Sequence, residues 1–138
     1  MLGINAKASE FQAAMGLCNL KYIDEIISKR KKLTEIYDSL LNDSLVRQQT
    51  SFGTIRNYGY YPVVLEDEKM MLEKKDKLNK INIFPRRYFY PSLNNLPYLD
   101  SNFRCPISEE IASKILCLPL FSELEEAEIK TICKVMNS

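Results

Sequence analysis

Residues 9–42 read SEFQAAMGLCNLKYIDEIISKRKKLTEIYDSLLN. Apolar side chains recur along them at Phe11, Met15, Cys18, Tyr22 and Ile26, then at Leu33, Ile36, Tyr37 and Leu40, mostly in steps of three and four. That is the period of an amphipathic helix. Ser9 with Gln12 three residues on has the form of a capping box, which satisfies orphan amides of a first helical turn. One helix is therefore predicted from just after Ser9 to Asn42-Asp43-Ser44. At 1.5 Å per residue, about thirty residues make a rod roughly 45 Å long. A small domain cannot cover such a rod alone, so part of its apolar face is expected to need a further surface.

The flanking sequence alternates between strand and helix signals. Arg47 to Asn57 is polar and reads as a loop or frayed strand. Tyr58 to Leu65 is rich in aromatic and β-branched residues and reads as a strand. Pro62 cannot donate to a ladder, so that strand needs a free edge near it. Glu66 to Lys80 is charged, with a partial stripe of Met70, Met71, Leu72 and Leu78, and reads as a surface helix. Ile81 to Pro91 reads as extended and Asn94 to Phe103 as a loop. Ser108 is expected to cap a short helix ending near Lys114, and Leu116 to Leu120 to form a brief strand. Ser122 with Glu125 reads as a second capping box, followed by a helix whose inner face carries Ile129, Ile132, Cys133 and Met136. This order predicts an α+β fold, a small sheet with helices on one face.

The chain has 138 residues, 46% of them hydrophobic and 27% charged, which suits a single domain spanning residues 1–138. Nineteen basic and eighteen acidic residues leave a net charge of +1, so no general attraction to nucleic acid or anionic membrane is expected. Apolar runs are too short to span a bilayer. The N-terminal dozen residues include a lysine and a glutamate where a signal peptide needs an apolar stretch. Cys18, Cys105, Cys117 and Cys133 lack C-x-x-C spacing and read as reduced, mostly buried thiols of a cytoplasmic protein. The absence of histidine excludes histidine-based nucleophile pairs, general bases and metal sites within these residues, and no metal site is expected.

Three segments could carry chemistry. Lys29-Arg30-Lys31-Lys32 is basic, but four consecutive residues point around a helix, and Glu25 and Glu35 flank them. In Arg86-Arg87-Tyr88-Phe89-Tyr90-Pro91, strand alternation would send Arg86, Tyr88 and Tyr90 to one side. A guanidinium and two phenols suit phosphate and sugar hydroxyls. Gly3 to Glu10 precedes a helix start, where the dipole and free amides favour an anion, and Asn5 and Lys7 could add donors.

These segments together resemble the DegT/DnrJ/StrS family of pyridoxal-phosphate-dependent sugar aminotransferases. The opening is similar to the family's G-x-N-x-R-M-S/T-E/D-x-Q-A-A-x-G-x-x-Q-L, with Asn5, Ser9, Glu10, Gln12, Ala13, Ala14, Gly16 and Leu20 matching. Arg86, Tyr88, Phe89, Tyr90 and Pro91 match its R-x-Y-Y/F-Y-P segment. Cys105 to Ile129 resembles its closing L-x-L-P-L…L-x-x-x-E-x-x-x-I run. Lys7 stands where arginine is common, Ala8 where methionine is usual, and Ser92-Leu93 where many members have leucine and histidine.

The resemblance implies the small C-terminal domain of a fold type I, aspartate-aminotransferase-like enzyme, with the long helix packed on the large domain near a homodimer interface. The family's large domain supplies the lysine that holds the cofactor. No lysine here sits in a similar motif, so this chain is expected to lack catalytic residues and to be inactive and cofactor-free alone. The implied reaction moves an amino group, commonly from glutamate, to a keto-sugar on a nucleotide, with pyridoxal phosphate as electron sink. By the same resemblance Asn5 would contact the cofactor phosphate of the neighbouring subunit, and Arg86, Tyr88 and Tyr90 the nucleotide-sugar. The alternative is a stand-alone interaction module without catalysis. A nucleic-acid binder is disfavoured by the near-neutral charge.

Overall fold

The computed structural model describes residues 7–99 and 103–138. These form α1 (Glu10–Leu20), α2 (Ile23–Leu40), β1 (Val46–Arg47), β2 (Tyr61–Val64), α3 (Glu68–Asn79), α4 (Pro106–Lys114), β3 (Ile115–Leu118) and α5 (Glu126–Asn137), with a 3₁₀ turn at Leu93–Asn95. The sheet is antiparallel in the order β1-β2-β3. β3 pairs with β2 from Tyr61↔Leu118 to Val64↔Ile115, and β1 pairs only at Val46↔Val64 and Arg47↔Val63. The β1 ladder thus stops one residue short of Pro62, leaving the free edge that a proline requires.

Alternation along β2 sends Tyr61 and Val63 into the helical layer, while Pro62 and Val64 stay half-buried on the other face. The core joins these two residues to Leu33 and Tyr37 of α2, Met71 and Leu78 of α3, and Ile129, Ile132, Cys133 and Met136 of α5. The predicted apolar face of the last helix is thus its buried face. Tyr37 stacks on Tyr61 with ring centroids 4.6 Å apart, and its hydroxyl donates to the Pro119 carbonyl at 3.0 Å. The Tyr61 hydroxyl donates to Asp38 Oδ1 at 2.6 Å. A buried phenol needs such a partner, and these two bonds tie α2 to the end of the β2–β3 pair where Tyr61 faces Leu118. Lys74 buries its stem beneath α5 and donates its ammonium to the Val135 carbonyl at 3.2 Å and to the Ser138 carbonyl, capping the C-terminal end of that helix.

Several expectations are corrected. The long helix is two helices, broken at Lys21-Tyr22, where the amides of Lys21 and Tyr22 bond the carbonyls of Cys18 and Asn19. Apolar periodicity continues across a break of two residues, so it does not report one. Asp24 and Glu25 in the first turn of α2 favour a new helix start there. Among the described residues nothing buries α1: Phe11 is 73% exposed and Leu17 67%. Helix α4 begins at Pro106, a residue suited to a first helical position, and Ser108 lies inside it, sharing a hydrogen bond of 2.7 Å with Ser92. The last capping box uses Glu125 and Glu128, whereas Ser122 donates to Glu123. Residues 81–91 form no strand; only Arg86 pairs, with Cys117. The cysteines are free, but only Cys117 and Cys133 are buried; Cys18 and Cys105 are exposed. Burial pushes the Cys133 thiol up to about 11.

Candidate functional site

Adjacent arginines at the edge of the sheet have opposite fates. Arg86 exchanges both backbone hydrogen bonds with Cys117, at 3.0 and 2.8 Å, which anchors it beside β3. Its guanidinium is exposed and donates to the Tyr88 hydroxyl, lying 5.5 Å from that ring's centre. That bond pushes the guanidinium further above its ordinary value, so it is charged at any working pH. Among the described residues Arg86 makes no ion pair. Arg87 turns inward, where it pairs with Glu68, donates to the Ser113 carbonyl at 2.7 Å and lies over the Tyr90 ring, 3.3 Å from its centre.

The structure thus brings Arg86 and Tyr88 together and separates Tyr90, which belongs with Arg87. This corrects the expectation of one shared side. Strand alternation needs a continuous ladder, and beyond the single bridge at Arg86 no ladder holds the backbone.

Tyr60 is a neighbour that motif reading missed. Its ring meets Tyr88 edge-on at 5.8 Å, and Tyr88 stacks on Phe89 at 4.9 Å. The approach to β2 is tightly shaped. Asn57 Oδ1 accepts from the Gly59 amide at 3.0 Å, and Tyr58 holds a φ of 51°, a left-handed conformation costly for a bulky residue. Arg56 lies 5.3 Å above the Tyr58 ring centre. A parity argument could have found Tyr60: if Tyr61 faces the core, Tyr60 cannot.

Two cavities open at this aromatic corner. One, of about 500 Å³, is lined by Arg86, Tyr88, Tyr60, Asn82 and Glu128 together with apolar side chains including Phe84 and Phe121. The other, of about 410 Å³, is a slot over the open face of the sheet, lined by Pro62, Val64, Ile115 and Phe89, with Arg47 and Gln48 as its polar members besides the two tyrosines. Guanidinium, hydroxyl and amide groups in the first suit a phosphorylated, hydroxylated ligand.

The remaining candidates are less organised. Lys29 pairs with Glu25 at 2.8 Å and Lys31 with Glu35 at 4.0 Å, so the basic cluster is interleaved with acids. Asn5 lies outside the described residues. At the adjacent helix start, Ser9 Oγ accepts from the Gln12 amide at 3.2 Å and Gln12 Oε1 from the Ser9 amide at 2.8 Å, engaging two amides that an anion would otherwise use. Among the described residues there is no cluster of metal-ligating side chains, and no helix is long and apolar enough to cross a membrane.

Comparison with known proteins places this geometry in context. A model of the DegT/DnrJ/EryC1/StrS aminotransferase family matches residues 1–137. The chain is 36% identical to the dTDP-4-amino-4,6-dideoxy-D-glucose transaminase of Escherichia coli over 97% of its own length and 38% of that protein's. It superposes on a crystal structure of DesI, solved in the presence of its TDP-sugar product, with a TM-score of 0.84 and 26% identity, over 98% of this chain and 36% of that one. The aminotransferase TlmJ from Streptoalloteichus hindustanus shares the fold, with a TM-score of 0.85 and 22% identity over 98% of this chain and 37% of that one. The chain thus spans under two fifths of the proteins it matches. With the family model matching over nearly every residue, the chain belongs to the DegT/DnrJ/EryC1/StrS aminotransferase family.

Proposed function

We propose that these 138 residues form the small C-terminal domain of a cytoplasmic, homodimeric aminotransferase that delivers an amino group, drawn from glutamate, to a keto-sugar carried on a nucleotide. Pyridoxal phosphate, when bound, supplies the electron sink for the transfer. The work assigned to this domain is binding and orientation. Arg86 holds a phosphate of the nucleotide-sugar by charge-assisted hydrogen bonds, and Tyr88 fixes the guanidinium and adds a hydroxyl. Asn5 is assigned to the cofactor phosphate of the neighbouring subunit. Tyr90 is given up as a substrate contact in favour of its place against Arg87.

The observation that carries the reading is Arg86 itself. It is a guanidinium with no ion-pair partner among the described residues, fixed to a sheet edge and lining a cavity whose polar members include Tyr60, Tyr88, Asn82 and Glu128. A buried or paired arginine, such as Arg87, would have been structural. The test is Arg86→Ala in the full enzyme. A charge-assisted bond contributes about 1.5–3 kcal/mol. KM for the nucleotide-sugar is therefore expected to rise at least ten-fold while KM for the amino donor stays nearly constant. Equal effects on both half-reactions would refute the assignment.

A further inference from the structure

Tyr60 lines both of these cavities, and its other neighbour is a polar hollow of about 410 Å³ formed by the loop from Gln48 to Gly59. Its neighbour Tyr61 is locked into the core, so Tyr60 is turned the other way and is 58% exposed. Phe89 stacks on Tyr88, whereas Tyr60 touches Tyr88 only edge-on and has no stacked ring partner among the described residues. The surroundings of Tyr60 are unequal. On one side lie Arg86, Asn82 and Glu128; on the other, the slot is lined largely by Pro62, Val64, Phe89 and Ile115, with Arg47 and Gln48 as its polar members.

We propose that Tyr60 is the stacking platform for the base of a nucleoside diphosphate whose phosphates lie on the Arg86 side. This rests on the reading of Arg86 as a nucleotide-sugar contact. A base is a flat body with two apolar faces and a polar edge, which suits an open aromatic ring beside an apolar slot. A pyranose carries hydroxyls around its rim and would leave most of them without partners in that slot. The phosphates need the guanidinium, and the sugar the polar cavity beside it.

Calorimetric titration of the full chain with UDP, GDP and glucose 1-phosphate tests the assignment. Losing one base–aromatic stack weakens binding about five- to a hundred-fold, and stacking tolerates a change of base. Tyr60→Ala should therefore weaken both UDP and GDP at least five-fold and leave glucose 1-phosphate within two-fold. Tyr60→Phe, which keeps the ring, should bind as the unaltered chain does. Equal losses for UDP and glucose 1-phosphate in Tyr60→Ala, or no loss for UDP, would overturn the platform while leaving Arg86 in place. Arg86→Ala should weaken all three probes. If it weakens none, or if the unaltered chain binds neither nucleotide, the parent reading fails and the platform falls with it.

Discussion

Replacing Tyr61 by phenylalanine keeps the ring that stacks on Tyr37 and removes only the hydroxyl that donates to Asp38 Oδ1 at 2.6 Å. Hydrogen bonds to charged groups contribute about 1.5–3 kcal/mol. Asp38 is partly open to water and has Arg47 3.8 Å away, so the lower end applies: a loss of about 1.5 kcal/mol, or roughly 5 °C in Tm for a domain of this size. The pH dependence is more specific. Burial, and then the bond to the Asp38 carboxylate, raise the Tyr61 phenol well above its ordinary value. The folded chain therefore keeps a proton that the unfolded chain releases above about pH 10. Stability from this phenol is complete below that pH and falls by about 1.4 kcal/mol per pH unit above it, until the folded phenol itself ionises. Tyr61→Phe has no such proton to lose. Urea unfolding followed by circular dichroism should find the unaltered chain ahead by about 1.5 kcal/mol near neutrality. That lead should shrink almost to nothing near pH 11. Other titrating groups are common to both proteins and cancel in the difference. A lead that stays constant between those pH values would mean that the phenol titrates alike folded and unfolded, and the reasoning would fail.

Arg87→Ala, which strips Glu68 and the Ser113 carbonyl of a half-buried partner, should cost about 1.5–3 kcal/mol in the same unfolding assay. Arg86→Ala should fall within about 0.5 kcal/mol of the unaltered chain, and the reverse order would exchange the roles assigned to the two arginines. Asn5→Ala in the full enzyme should weaken cofactor retention several-fold, as expected for one hydrogen bond of about 0.5–1.5 kcal/mol, and unchanged retention would remove Asn5 from the site. The bare face of α1 should make this 138-residue chain self-associate weakly or bind a hydrophobic dye. Burying about 400 Å² contributes roughly 10 kcal/mol, against association costs of about 4–15 kcal/mol. Light scattering that shows only monomer at high concentration, with no dye binding, would refute this.

Much of the fold was legible because its signals are local or periodic. The capping box at Ser9, the helix from Asp67 and the inner face of α5 each rest on spacing within one segment. The break at Lys21-Tyr22 was not legible, because both sides of it keep helical spacing and the difference is made by packing. Leu33 and Tyr37 of α2 are buried in the core with α5 and the sheet, while among the described residues α1 has nothing to pack on. The start of α4 was misplaced for a different reason. Serine is a strong helix cap on average, yet Pro106 fits the first turn here and Ser108 spends its hydroxyl on Ser92.

The site divides along the same physical line. Strand parity can be trusted only where a ladder enforces it. In β2, pairing with β3 runs from Tyr61 to Val64, so the burial of Tyr61 decides where Pro62 must face, and Tyr60, next to the ladder's first residue, is turned outward with it. That inference was available from the run Tyr58 to Val64, once the inward face was chosen. Around Arg86 the same alternation was applied to a segment held at one residue. It succeeds for Arg86 and Tyr88, which lie together, and fails by Tyr90, two residues further on. The two arginines are chemically identical and adjacent, so composition does not separate them, and the family segment that matches Arg86 gives no physical reason for the difference. What separates them is the bridge to Cys117, which fixes the Arg86 backbone beside β3, and the carboxylate of Glu68 with the carbonyl of Ser113, which wait on the other side for Arg87. A guanidinium paired within its own fold, as Arg87 is with Glu68, stabilises that fold. One that the fold positions and leaves, among the described residues, without an ion-pair partner is the one we propose meets a ligand.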